Sequence, residues 1–137
     1  MEKRKLLFDC DNTMGIPDCD IDDGLCLLYL LGRKDIELLG VSSSFGNNKT
    51  AVVYENTKKM LKERGREELP LWYGADGPRQ WENEASRKIL ETVKRYPGEV
   101  DILVTGSTTN IAGAYMLDPE FFSYVTGIYF MGGITEP

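Results

Sequence analysis

Six aspartates fall within fifteen residues: Asp9, Asp11, Asp18, Asp20, Asp22 and Asp23. Two carboxylates about 4 Å apart repel by roughly 4 kcal/mol at an effective dielectric near 20. A folded site that holds several of them needs water or a cation, and hard oxygen donors select Ca²⁺ or Mg²⁺ over softer metals. The competing reading is a solvated loop in which Asp20 caps the next helix and Asp22 and Asp23 complement its dipole. Asp18 and Asp20 fit that reading. Asp9 and Asp11 close a short apolar run and fit chemistry. An EF-hand is excluded, because counting from Asp9 puts Met14 at the glycine position and Asp20 where a bidentate Glu belongs. Counting from Asp18 puts Tyr29 at the twelfth position. The chain contains no His, which removes His-based triads, His zinc sites and His general acids.

The elements that must position these residues alternate between strand and helix. Residues 5–9 read as a short buried strand entering the acidic loop. Residues 22–31 are apolar nearly all round and stop at Gly32, as a buried helix would. Residues 36–42 are β-rich and run into a turn-rich Ser-Phe-Gly-Asn-Asn loop. A helix is expected over 49–64, stopped by Gly65, and a short strand over 71–73. Ala85, Ile89, Val93 and Tyr96 share one helical face, which Pro97-Gly98 terminates. A strand over 100–105, a helix over 110–117, a short helix opened by Pro119 and a strand over 127–131 complete the pattern. This alternation predicts one α/β domain over residues 1–137, a mostly parallel sheet with helices on both faces. Ligands of such sheets gather at the carboxyl ends of the strands. The loops 9–20, 43–48, 105–109 and 131–133 all sit there.

With 137 residues, 42% of them apolar, the chain can bury a core. Its net charge of -6 argues against a nucleic-acid or membrane-surface partner, which would call for a basic face. Cys10, Cys19 and Cys26 are odd in number and form no CxxC pair. Only three apolar residues separate Lys5 from Asp9, so no secretory leader is read, and no apolar run is long enough for a bilayer. The expectation is a cytoplasmic protein with reduced thiols.

Four segments in order resemble the inosine-uridine-type nucleoside hydrolase family. They are Phe8-Asp9-Cys10-Asp11 followed by Asp22-Asp23-Gly24-Leu25, then residues 40–47 (GVSSSFGN), residues 104–112 (VTGSTTNIA), and Met131-Gly132-Gly133. The resemblance spans essentially the whole chain. It implies a nucleoside-hydrolase-like (Rossmann-like) N-terminal half and a Ca²⁺-dependent N-ribohydrolase that splits ribonucleosides into ribose and free base. It further implies that Asp11 is a calcium ligand and the general base for the attacking water, and that Asp23 is a bidentate calcium ligand. The backbone carbonyl of Thr105 would complete part of the shell. Asp22 and Asn47 would contact the ribose, Met131 would pack near the sugar, and Asp9 would be a supporting residue. Asn110 is read as structural.

The spacing between Asp11 and Asp22 is longer than in the commonest form of the family's motif, so residues 12–20 would bulge beside the metal. The family's C-terminal region supplies a further acidic calcium ligand, more ribose contacts and, in many members, a His that assists the departing base. None of these is found in residues 1–137, so self-association or a complementing chain is expected. Two rivals follow from the same residues. Phe8-Asp9-Cys10-Asp11-Asn12-Thr13 also fits the D-x-D-x-T motif of haloacid-dehalogenase-type phosphatases, with Asp9 as nucleophile and Mg²⁺ as metal. The other is a non-catalytic truncated fragment that pairs with another chain.

Overall fold

The computed structural model of the chain describes residues 3–14, 22–46 and 48–130. Five strands, β1 (Arg4–Cys10), β2 (Ile36–Ser43), β3 (Leu71–Trp72), β4 (Val100–Val104) and β5 (Val125–Phe130), form one sheet. Five helices connect them: α1 (Asp22–Gly32), α2 (Thr50–Glu63), α3 (Glu84–Arg95), α4 (Thr109–Leu117) and α5 (Phe121–Tyr124). The strand order is β3-β2-β1-β4-β5 and every pairing is parallel. The order reverses direction at β1, which opens a crevice beyond the carboxyl ends of β1 and β4.

Side chains alternate across β1 and divide the core in two. Leu7 faces one layer with Ile89 and Val93 of α3, Ile111 and Ala114 of α4, and Phe121 of α5. Phe8 and Cys10 face the other with Leu27 and Leu30 of α1 and Leu61 of α2. Helices therefore cover both faces, as the alternating pattern predicts. A bulge lies where β1 pairs β2, between Leu6/Leu38 and Leu7/Gly40. It lets Leu38 and Val41 share the α1–α2 face although three positions separate them.

Most elements begin and end within a residue or two of their sequence-based bounds. Strand β5 starts at Val125 rather than Gly127, since β-branched Val125 and Thr126 extend it past an irregularity at the foot of β4. Pro119 precedes α5 rather than opening it, inside a turn where Asp118 Oδ1 accepts from the Glu120 amide at 2.9 Å. Helix α1 is not buried all round: Leu25 and Tyr29 are exposed, because only one side of it meets the sheet. Asn83 and Ser86 form a reciprocal capping box that starts α3.

Candidate functional site

Strand alternation turns Asp9 towards α4 and leaves Asp11 in the crevice beyond the strand. Asp9 is 1% exposed. Its Oδ1 accepts from the Ser42 hydroxyl of β2 and, at 2.9 Å, from the Asn110 amide of α4. Its Oδ2 is buried and has no hydrogen-bond partner among the described residues. Burial pushes the Asp9 carboxyl up to about 7, against the downward pull of the Ser42 and Asn110 hydrogen bonds, and nearby Asp23 adds to the rise. Asn110 also donates to the Ser43 carbonyl at 3.0 Å and accepts from the Ala75 amide at 2.9 Å. One side chain thus ties α4 to the ends of β1, β2 and the loop after β3.

Asp11 and Asp23 meet at the mouth of the crevice. The Asp11 amide donates to Asp23 Oδ2 at 2.8 Å, and the Thr105 hydroxyl donates to the same oxygen at 2.6 Å. The Thr105 amide donates to the Asp9 carbonyl at 2.9 Å, continuing the β1–β4 ladder into the loop. On the β2 side, Gly46 packs directly on Asp11: a Cβ there would lie 2.2 Å from Asp11 Oδ2. The Asp11 carboxylate is therefore confined between the β1 and β2 loops.

Asp9, Asp11, Asp23 and Thr105, read from the sequence as site residues, thus converge on one end of the sheet. Asn47, Met131 and the side chain of Asp22 lie outside the described residues, as do Asp18, Cys19 and Asp20. Cys10 is fully buried in the α1–α2 core, and burial raises its thiol well above the ordinary value, which fits an inert packing residue. The sequence does not distinguish Ser42 and marks Asn110 only as structural, yet both hold Asp9. Their signal was position: both lie inside the segments that carry the family resemblance.

The donors at this end are hard oxygens, among them the carboxylates of Asp9, Asp11 and Asp23, and one buried Asp9 oxygen has no hydrogen-bond partner among the described residues. That chemistry suits Ca²⁺ or Mg²⁺. Among the described residues, no group of three or more His, Cys, Asp or Glu side chains is close enough to hold a metal ion. The remaining donors implied by the resemblance are a main-chain carbonyl, which has no side-chain signature, and groups outside residues 1–137. No helix among the described residues is long and apolar enough to cross a membrane.

Comparison with known proteins gives a consistent result. The family model described as inosine-uridine preferring nucleoside hydrolase matches residues 6–137. Probable uridine nucleosidase 2 of Arabidopsis thaliana is 25% identical over 96% of this chain and 48% of its own length. Uridine nucleosidase 1 of the same plant is 28% identical over 94% of this chain and 45% of its own length. The solved purine-preferring ribonucleoside hydrolase from Gardnerella vaginalis superposes with a TM-score of 0.80 at 26% identity, covering 96% of this chain and 49% of the other. The chain spans about half the length of the curated relatives it matches.

Proposed function

Because the chain belongs to the inosine-uridine preferring nucleoside hydrolase family, we propose that residues 1–137 form the N-terminal α/β portion of a calcium-dependent ribonucleoside N-ribohydrolase. The observation that carries the proposal is the meeting of Asp11, Asp23 and Thr105 at the β1–β4 crevice of a chain the family matches from residue 6 onward.

In this reading Asp11, Asp23 and the Thr105 carbonyl hold the cation. Bound Ca²⁺ would orient the attacking water and favour its deprotonation. Asp11 takes the proton, and its confinement by Gly46 keeps the carboxylate aimed at one place. Asp23 binds the β1 and β4 loops to each other through the Asp11 amide and the Thr105 hydroxyl. Asp22 and Asn47 bind the ribose, and Met131 packs by the sugar. The carboxylates favour the positive charge that develops on the ribose ring as the bond to the base breaks. Asp9 supports the floor from below.

Asp9 speaks against the phosphatase alternative. A phosphoryl-accepting nucleophile must face the substrate, whereas the Asp9 carboxylate is buried and held by Ser42 and Asn110. The family's further calcium ligand and leaving-group acid belong to its C-terminal region, outside residues 1–137.

The test is p-nitrophenyl release from the riboside and, in parallel, from p-nitrophenyl phosphate, each with Ca²⁺, Mg²⁺ or chelator. Calcium-dependent release from the riboside is expected, with a loss of at least about 100-fold in Asp11→Asn. Release from the phosphate alone would overturn the reading. Silence on both would favour the non-catalytic fragment.

A further inference from the structure

The stretch after Asp11 departs from the family's commonest spacing, and its root is clamped in a way the proposed chemistry does not use. Asn12 is fully buried. Its Oδ1 accepts from the Met14 amide at 3.0 Å, closing a side-chain turn. Its amide nitrogen approaches the Thr57 hydroxyl at 3.3 Å and the Met60 sulfur at 3.0 Å, both on α2. From the same helix, Asn56 donates to the Asn12 carbonyl at 3.3 Å and to the Met14 carbonyl at 3.0 Å. On the opposite side, α1 closes in: a Cβ on Gly24 would lie 2.3 Å from Met14 Cβ and 2.9 Å from Asn12 Oδ1. Gly24 directly follows Asp23, whose carboxylate receives the Asp11 amide.

The clamp therefore grips the chain immediately after Asp11 and, through Gly24, immediately after Asp23. We propose that Asn56 is a positioning residue for the Asp11–Asp23 pair, acting through the two backbone carbonyls of the Asn12–Met14 turn. Asparagine is unfavourable in the middle of a helix, and two facing carbonyls are an environment that only a double donor satisfies. A packing residue at that place would leave both carbonyls without these donors and let the turn swing, carrying the Asp11 amide away from Asp23.

This inference rests on the metal reading for its consequence but not for its geometry, so two readouts separate them. Amide hydrogen exchange of the chain in chelator reports the Asp11 amide directly. In Asn56→Asp, which keeps the shape and loses the donors, and in Asn56→Ala, the Asp11 amide is expected to exchange about tenfold faster, the equivalent of one lost hydrogen bond. The Phe8 and Leu103 strand amides should be unchanged, as should every amide in the control Glu55→Ala. Calcium titration of the same proteins is expected to show about tenfold weaker binding in both Asn56 variants, with thermal midpoints in chelator close to that of the unaltered chain. An Asp11 amide that exchanges at the original rate in both variants overturns the proposal. So does equal acceleration of all amides in both, which would make Asn56 merely structural. Equal calcium affinity in chains that do bind calcium overturns it as well. If the unaltered chain binds no calcium while the Asp11 amide still responds, the positioning role stands and the metal reading falls.

Discussion

At Asp9 a carboxyl group is buried beneath a site that already holds Asp11 and Asp23, and the consequence is thermodynamic. Its ordinary value of 3.8 is raised to about 7 in the folded chain. Between those two values the folded chain keeps a proton that the unfolded chain releases, so folding takes up a proton there. The contribution to stability is full below about pH 4 and is lost as pH rises through 7. At about 1.4 kcal/mol per pH unit, the loss amounts to a few kcal/mol. Metal-free protein is therefore expected to unfold at lower urea concentration at pH 8 than at pH 5. Asp9→Asn keeps an oxygen to accept from Ser42 and Asn110 and should flatten much of that slope. Every other ionisable group is common to both proteins, so the difference between the two denaturation profiles is the quantity to read. An unchanged slope in Asp9→Asn would assign the pH dependence elsewhere.

Among the elements, α4 is set on the sheet by Asn110 more than by its cap. Among the described residues Thr108 makes no side-chain capping hydrogen bond, whereas the buried Asn110 reaches Asp9, the Ser43 carbonyl and the Ala75 amide. Asn110→Ala leaves three buried groups short of a partner and is expected to cost about 3 kcal/mol in denaturant unfolding. Leu117→Ala, at the half-exposed far end of the same helix, should cost under about 1 kcal/mol. Similar costs for the two would show that α4 is held by packing alone. The elements themselves were largely legible in the sequence. Glycine and proline punctuate the ends of the helices, and the face of Ala85, Ile89 and Val93 is the one α3 buries. The partial exposure of α1 was not legible, because an apolar helix reads alike whether one side or both are covered.

In the molecule as a whole, β5 stands at one end of the sheet among the described residues, and large side chains on both of its faces are exposed at its carboxyl end. Tyr129 is 50% exposed and Phe130 61%. An edge strand with large apolar side chains invites pairing with a second chain. Sedimentation at micromolar concentrations is therefore expected to give a mass above that of one chain. Phe130→Lys should shift it towards the monomer with little change in thermal midpoint. A wild-type chain that stays monomeric at tens of micromolar would assign β5 no role in pairing chains.

By itself, the sequence determined the α/β class, the strand–helix order, the acidic segment and the family, since each depends on local spacing and residue type. The tertiary structure decided what depends on atoms far apart in the chain. It turned Asp9 downward to Ser42 and Asn110, 33 and 101 residues away, while Asp11 stayed in the crevice. It brought Thr105 to Asp23 across 82 residues and Asn56 to Met14 across 42. The physical reason is the parallel sheet: every crossover returns the chain to the same end, so loops distant in sequence meet there, and the end of β1 at Cys10 separates Asp9, held against α4 within the strand, from Asp11 in the loop beyond it.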